Sequence, residues 1–254
     1  KFTMLNDTVA VLLAGRSLAR GREYGSYVGF ILGTGTNTAY VELNRRITKR
    51  RDLPVRGKQA INVESGNFAL CPQTRIDQEL DAGTNNPGEY TFEKMVSGAY
   101  LGRLSLRLIK AAAEDGLFSE GGGAKIRQVR RLSTVQADRF LRDPVGAGPL
   151  GSPALTGGDR ETVSGLIAAV IERAALFAAV NIAAAVLKSG AGRSPKHPVC
   201  VNIDGSTYFK TSRLQPRTER HLRDLLGARG VFFQPVQMSD SPLIGAAVAG
   251  LTRP

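Results

Sequence analysis

Three short runs bring glycine or a carboxylate together with a hydroxyl or an amide. They are Asn6-Asp7-Thr8, Gly33-Thr34-Gly35-Thr36-Asn37 and Asp204-Gly205-Ser206. Glycine lets backbone N–H groups come close to a phosphate, and a Ser or Thr hydroxyl adds one more donor. A carboxylate such as Asp7 can take the proton of a hydroxyl nucleophile that lies within hydrogen-bond reach. Each run also has a plain structural reading. An Asp in an Asn-Asp-Thr turn commonly caps a helix, and Gly-Thr-Gly between apolar runs commonly serves a hairpin. No Gly-Lys-Ser/Thr follows a glycine-rich run, which excludes a Walker loop. The two histidines, His197 and His221, are remote from each other, and Cys71 and Cys200 stand singly, so metal-ligand spacing is lacking. No Gly-x-Ser-x-Gly elbow occurs.

The elements that must position these runs follow from apolar spacing. Lys1–Leu5 reads as a strand, and Thr8 to Arg20 as a helix with Val9, Leu12, Leu13 and Leu18 at helical intervals. Tyr27–Leu32 and Thr38–Leu43 read as strands flanking the glycine turn, with a third at Gln59–Val63. Between them, Asn44–Lys58 is a basic connection expected to be a solvated loop. The polar stretch Asp77–Asn86 reads as turn-rich, ending in Asn86-Pro87-Gly88. One helix is expected from Tyr90 to Ala113, stopped by Gly116. Gly121–Gly123 reads as a turn. Gly146–Gly158 and Gly190–Pro198 read as loops around a long helix, Arg160–Ser189. A buried strand at Val199–Ile203, a helix at Leu214–Leu226, a strand at Gly230–Gln237 and a small-residue helix at Ser241–Leu251 complete the chain. Alternating strands and helices, with three adjacent strands early, argue an α/β fold with a mixed sheet.

Composition bounds the rest. At 254 residues, with 42% hydrophobic and 22% charged residues, the chain can bury a sizeable core. Its 34 Lys and Arg against 22 Asp and Glu leave +12, which invites an anionic ligand. Trp is absent and aromatics are only 6%, so a base-stacking platform is missing and nucleic acid is not the expected partner. The longest uncharged apolar run, Ala174–Leu187, is short for a bilayer span and reads as a buried core helix. The chain opens at Lys1 inside an already patterned stretch, so it reads as a piece of something longer. Few cysteines fit a reducing compartment.

The turns sit inside longer runs that resemble the hexokinase family. These are MLNDTVAVLL (Met4–Leu13), VGFILGTGTNTAYVE (Val28–Glu42), INVESGNF (Ile61–Phe68), PQTRID (Pro72–Asp77), NNPGEYTFEKMVSGAYLGRL (Asn85–Leu104) and VNIDGSTY (Val201–Tyr208). They occur in family order across nearly the whole chain. The resemblance implies the larger, C-terminal lobe of a hexokinase over residues 1–254, with the ribonuclease-H-like core shared by sugar kinases, actin and Hsp70 ATPases. It implies transfer of the ATP γ-phosphoryl group to the 6-hydroxyl of glucose or a related hexose, with Mg2+ held mainly through the phosphates. Asp7 then falls on the catalytic base. Asn6, Asn37, Glu64 and Glu93 fall on sugar-binding positions, and Gly33, Thr34, Gly35, Thr134, Gly205 and Ser206 on nucleotide-binding ones. No resident metal ligand is expected. The small-residue helix Gly245–Leu251 would pack beside the nucleotide. A cytoplasmic location, no membrane partner, and a glycolytic role are expected on the same ground.

Departures from the family pattern are also visible. The family's N-terminal lobe, with its Asp-Gly-Gly-Thr run and a Lys/Thr pair for the sugar, has no counterpart here, so the chain by itself is expected to be inactive. Ser65 replaces an aromatic residue, Tyr90 a Gln, Ala99 a Lys near ATP and Arg103 a Glu, and Asn44–Lys58 is basic where some members are acidic. The alternative to an enzyme is a hexokinase-like sugar or nucleotide sensor without catalysis. The presence of Asp7 argues against it, because a pure sensor need not keep the base.

Overall fold

A computed structural model describes residues 4–17, 23–50 and 52–252. Five strands form one mixed sheet in the order β3-β2-β1-β4-β5. β1 (Ser26–Leu32) and β2 (Thr36–Leu43) are an antiparallel hairpin around the glycine turn, with Ile31 opposite Asn37 and Leu32 opposite Thr36. β3 (Lys58–Asn62) continues the antiparallel ladder. β4 (Val199–Asp204) and β5 (Phe233–Gln237) add in parallel on the other side of β1. This is the mixed, helix-flanked sheet expected of the ribonuclease-H-like class.

Strand alternation splits the sheet into two faces. Val28, Phe30, Leu32, Val199, Val201 and Ile203 point into the main core. There they meet α7 (Gly157–Ser189), whose Val163, Ile167, Ala174, Ala178, Ile182 and Val186 are buried. The 33-residue α7 matches the long helix expected at Arg160–Ser189, starting three residues earlier, and is long and apolar enough to cross a bilayer. Here its buried stripe packs against β1, β2 and α9 (Leu214–Gly227). Gly29, Ile31, Asn37, Ala39 and Asn202 share the opposite face by register. On that face lie α1 (Asp7–Ser17) and α10 (Ser241–Thr252). Asn202 is fully buried and donates to the Val11 carbonyl (2.7 Å) and to Ser241 Oγ (3.1 Å), tying α1, β4 and α10 together. The close approach of α10 is spent on α1, because a Cβ at Gly245 would run into the Ala10 backbone.

Several local expectations change. Met4 and Leu5 are not strand, and the remainder of the expected first strand, like Leu18–Arg20 of the helix, lies outside the described residues. The stretch read as turn-rich starts inside a helix, α2 (Arg75–Ala82). A capping box between Thr74 and Asp77 starts it, and Asp77 also takes a bidentate pair from Arg173 of α7 (2.7 and 2.8 Å). The expected single helix from Tyr90 is two, α3 (Thr91–Val96) and α4 (Leu101–Glu114). The chain leaves the helix between them because Gly98 and Ala99 give their N–H groups to the carbonyls of Gly33 (2.9 Å) and Thr34 (3.2 Å). Gly116 does end the run, at φ +76°. Gly121–Gly123 forms the start of α5 (Glu120–Gln128) rather than a turn. Ser119 caps that helix and Asp159 of α7 braces Ser119, with Asp159 seated where a Cβ of residue 122 would go. A helix at α6 (Thr134–Arg142) is capped by Ser133, and a short α8 (Ser206–Lys210) follows the Asp204-Gly205 turn, where no helix was expected.

Candidate active site

The candidate residues gather where β1 and β4 end. Asn37, second in β2, sits on the α1 face of the sheet. Its Nδ2 donates to Asn62 Oδ1 (2.8 Å) and, at 3.4 Å, to Glu64 Oε1. Its Oδ1 accepts from the N–H groups of Thr38 (2.7 Å) and Ser65 (3.2 Å), which fixes the amide's orientation. Asn62 Nδ2 closes the ring on Glu64 Oε1 at 2.5 Å. Glu64 is exposed and left-handed, at φ 52°. A non-glycine residue held there is uncommon and marks a position fixed by its surroundings.

Glu93 comes from the other side, on α3. Its Oε2 accepts the Thr36 N–H at 2.9 Å. The carboxylate lies in a slot between two glycines. A Cβ at Gly35 would sit 2.6 Å from Oε2, and one at Gly66 would sit 3.3 Å from it. α3 is itself anchored by Lys94, which is buried and bonds Asp81 (2.5 Å), Thr84 Oγ1 (2.9 Å) and the Asn86 carbonyl (2.7 Å). Tyr90, just before α3, is also left-handed at φ 50°. Of the four left-handed non-glycine residues described, Glu64 is itself a carboxylate of the candidate sugar site and Tyr90 lies three residues before Glu93.

Asp7 and Asn6 open α1 on the same sheet face. The helix is seated there by Gly29, where a Cβ would lie 2.6 Å from the Thr8 carbonyl. Asn6 rather than Asp7 does the capping: Asn6 Oδ1 accepts from Thr8 N–H (2.9 Å) and Val9 N–H (3.4 Å). Asp7 is exposed, with Oδ1 accepting from Thr8 N–H (2.7 Å) and Thr8 Oγ1 (3.2 Å). Thr8 thus orients one carboxylate oxygen while the other has no intramolecular partner among the described residues.

The nucleotide candidates form a second group. A cleft of about 410 Å³ is lined by Thr34, Ala99, Thr134, Ser206, Thr207 and Lys210, among others. Gly205 (φ +114°) stacks against the glycine turn, and a Cβ there would overlap the Leu32 carbonyl. Not every expected donor is free. The Gly33 N–H is given to the Gly35 carbonyl (2.9 Å), so Thr34 and Gly35 supply the open amides of the turn. Thr134 Oγ1 is a bracket, donating to the Gly98 carbonyl (2.7 Å) and accepting from Gly102 N–H (2.9 Å).

Sequence reading passed over Asn62, Thr207 and Asn181. Thr207 Oγ1 donates to the Gly33 carbonyl (2.8 Å), locking α8 to the turn. Asn181, the polar residue inside the apolar run of α7, donates to Ser65 Oγ (3.0 Å) and braces the segment that carries Glu64. The signal for it was a lone amide in the otherwise apolar run Ala174–Leu187. For Asn62 it was a polar residue beside Glu64 within INVESGNF.

Fold and site together define an actin-like ATPase fold of the sugar-kinase type, with a polar ring beside a cleft at the strand ends. Residues 27–252 match the hexokinase family model, and the chain belongs to the hexokinase family. Its relatives include Hexokinase-2 of Oryza sativa subsp. japonica, 36% identical over 240 residues, covering 88% of this chain and 48% of the relative. A glucokinase of Aspergillus niger is 33% identical over 258 residues, covering 88% and 50%. Among solved structures, a hexokinase from Schistosoma mansoni complexed with glucose superimposes with a TM-score of 0.75 at 26% identity, covering 98% of this chain and 57% of that one. The chain spans about half the length of the curated relatives it matches.

Proposed function

We propose that this chain is the large lobe of an ATP-dependent hexokinase, acting in glycolysis in the cytoplasm with an N-terminal lobe of the same protein. The observation that carries the reading is the meeting of Asn37, Glu64 and Glu93 at the strand ends. Beside them lies a cleft to which Thr34, Thr134 and Ser206 all contribute. A hexose presents several hydroxyls, and two carboxylates with oriented amides can accept from and donate to them at fixed angles. The 6-hydroxyl attacks the γ-phosphorus of ATP, Asp7 accepts the hydroxyl proton through the oxygen that Thr8 leaves open, and ADP departs. The open amides of Thr34 and Gly35 and the start of α8 would face the phosphates and adenosine. Mg2+ would be held mainly through the ATP phosphates and would offset charge on the transferred group. Family chemistry depends on closing two lobes around the substrates, so the 254-residue chain alone is proposed to bind sugar without useful turnover.

The test is a coupled assay of glucose phosphorylation on the complete gene product, with Asp7→Asn beside it. Turnover is expected, and the variant should lose it at least 100-fold while still binding glucose. Glucose binding without turnover in the unmutated gene product would favour the sensor. Robust phosphorylation by the isolated chain would overturn the two-lobe part.

A further inference from the structure

A larger cleft, of about 1050 Å³, adjoins the nucleotide cleft and shares Gly98, Ala99 and Thr134 with it. Five cations line it: Arg103, Arg107 and Lys110 from α4, and Arg130 and Arg131 from the strap before α6. No Asp or Glu lines it. The three α4 residues stand at intervals of four and three and so share one helix face. Among the described residues none of the five lies within 4.0 Å of a carboxylate. Some cations elsewhere among the described residues are paired, such as Arg173 with Asp77 and Lys94 with Asp81, and others, such as Lys125 and Arg139, are not; what sets these five apart is that they line one cleft without a carboxylate. Two of the five have a defined neighbour on the protein. Arg103 stands over the Tyr100 ring at 5.3 Å, and Arg107 lies against Gly83, where a Cβ would be 3.1 Å from its Nη2. Five like charges facing one concavity repel each other and focus a strongly positive field. That arrangement is at its best when a compact anion sits among them, and guanidinium forks match phosphate oxygens two at a time.

We propose that this cleft is a second anion site, binding a chain of linked phosphates. Its ligand is a free oligophosphate, distinct from the nucleotide whose phosphates face the Thr34 and Gly35 amides. The assignment does not depend on the kinase reading, because it concerns binding alone.

The experiment is calorimetric titration of the 254-residue chain with tripolyphosphate at about 0.15 M salt, where surface charge is screened beyond roughly 8 Å. Saturable binding is expected, and Arg103→Gln/Arg131→Gln should weaken it at least 10-fold. Both side chains are exposed, so the variant should melt as the wild type does. Arg223→Gln, on the outer side of α9, should leave binding unchanged. Repeating the titration with saturating ATP present separates the sources: persistence supports a second site for a free oligophosphate, and displacement by ATP would overturn it. No saturable binding at that salt, equal binding by the double variant, or binding of duplex DNA but not tripolyphosphate would overturn the proposal. Glucose binding is scored separately on the same samples, so a failed sugar site and a failed anion site give different results.

Discussion

Gly35→Ala tests the slot that holds Glu93. The new methyl group would lie 2.6 Å from Glu93 Oε2 and 3.3 Å from its Cδ, too close for either atom to stay. On the far side Glu93 has only the gap left by the missing side chain of Gly66, where a Cβ would lie 3.3 Å from both its Cβ and its Oε2. The carboxylate must swing away, and the Thr36 N–H loses its 2.9 Å acceptor. Thr36 is buried, so its unpaired N–H costs about 1–3 kcal/mol, the usual penalty for a stranded buried donor. Sugar binding should suffer more than folding, since the displaced group is itself a proposed sugar contact. A loss of about 1.4 kcal/mol per contact is tenfold in affinity. The assay is glucose titration by calorimetry together with urea unfolding, with Gly227→Ala as a control because a Cβ there meets nothing within 4 Å. Unchanged glucose affinity in Gly35→Ala, with intact folding, would refute the slot argument.

Two further substitutions probe the frame. Burial pushes the Asp159 carboxyl up, but hydrogen bonds from the N–H and hydroxyl of Ser119 and from Thr156 N–H outweigh it and hold the group at about 2, below its ordinary 3.8. A carboxyl held down in the folded state stabilises above its unfolded value, and that stability drains away as pH falls from 3.8 through about 2. The gap is worth about 2 kcal/mol, so Asp159→Asn should unfold at lower urea at neutral pH and lose the acid-side slope in that window. Gly205→Ala should cost roughly 3 kcal/mol or more, from a left-handed φ of +114° and a clash with the Leu32 carbonyl. Equilibrium unfolding measures it.

Five of the six expected strands were legible because apolar alternation is short-range and period two; the exception is Lys1–Leu5, whose described residues Met4 and Leu5 are not strand. The hairpin at Gly33–Asn37, the strand ending in Asp204 and the small-residue helix at Ser241 all came from local patterns. What escaped was set by distant partners. The break between α3 and α4 has no local cause in a run whose apolar spacing is helical throughout. It exists because Gly33 and Thr34 offer carbonyls to Gly98 and Ala99 from about sixty residues earlier. The helical start at Gly121–Gly123 depends on Asp159, forty residues on from Ser119. In the site, Glu64, Glu93 and Asn37 could be named from family runs. That Glu93 is fixed by a glycine slot, and that Thr134 spends its hydroxyl on Gly98 and Gly102, required coordinates. The excess of positive charge also resolves in part. A share of it is concentrated in the cleft lined by Arg103, Arg107, Lys110, Arg130 and Arg131 rather than spread evenly.

The central claim is that the ring of Asn37, Asn62 and Glu64, together with Glu93 beside it, receives the sugar. The most direct measurement is a glucose titration of the isotopically labelled chain, followed by the side-chain amide signals of Asn37 and Asn62 and the backbone amides of Gly35, Thr36 and Gly66. The account predicts saturable shifts at those groups, absent with a non-sugar polyol and lost in Glu93→Gln. Glucose shifts confined to other parts of the chain, or unchanged in Glu93→Gln, would contradict it.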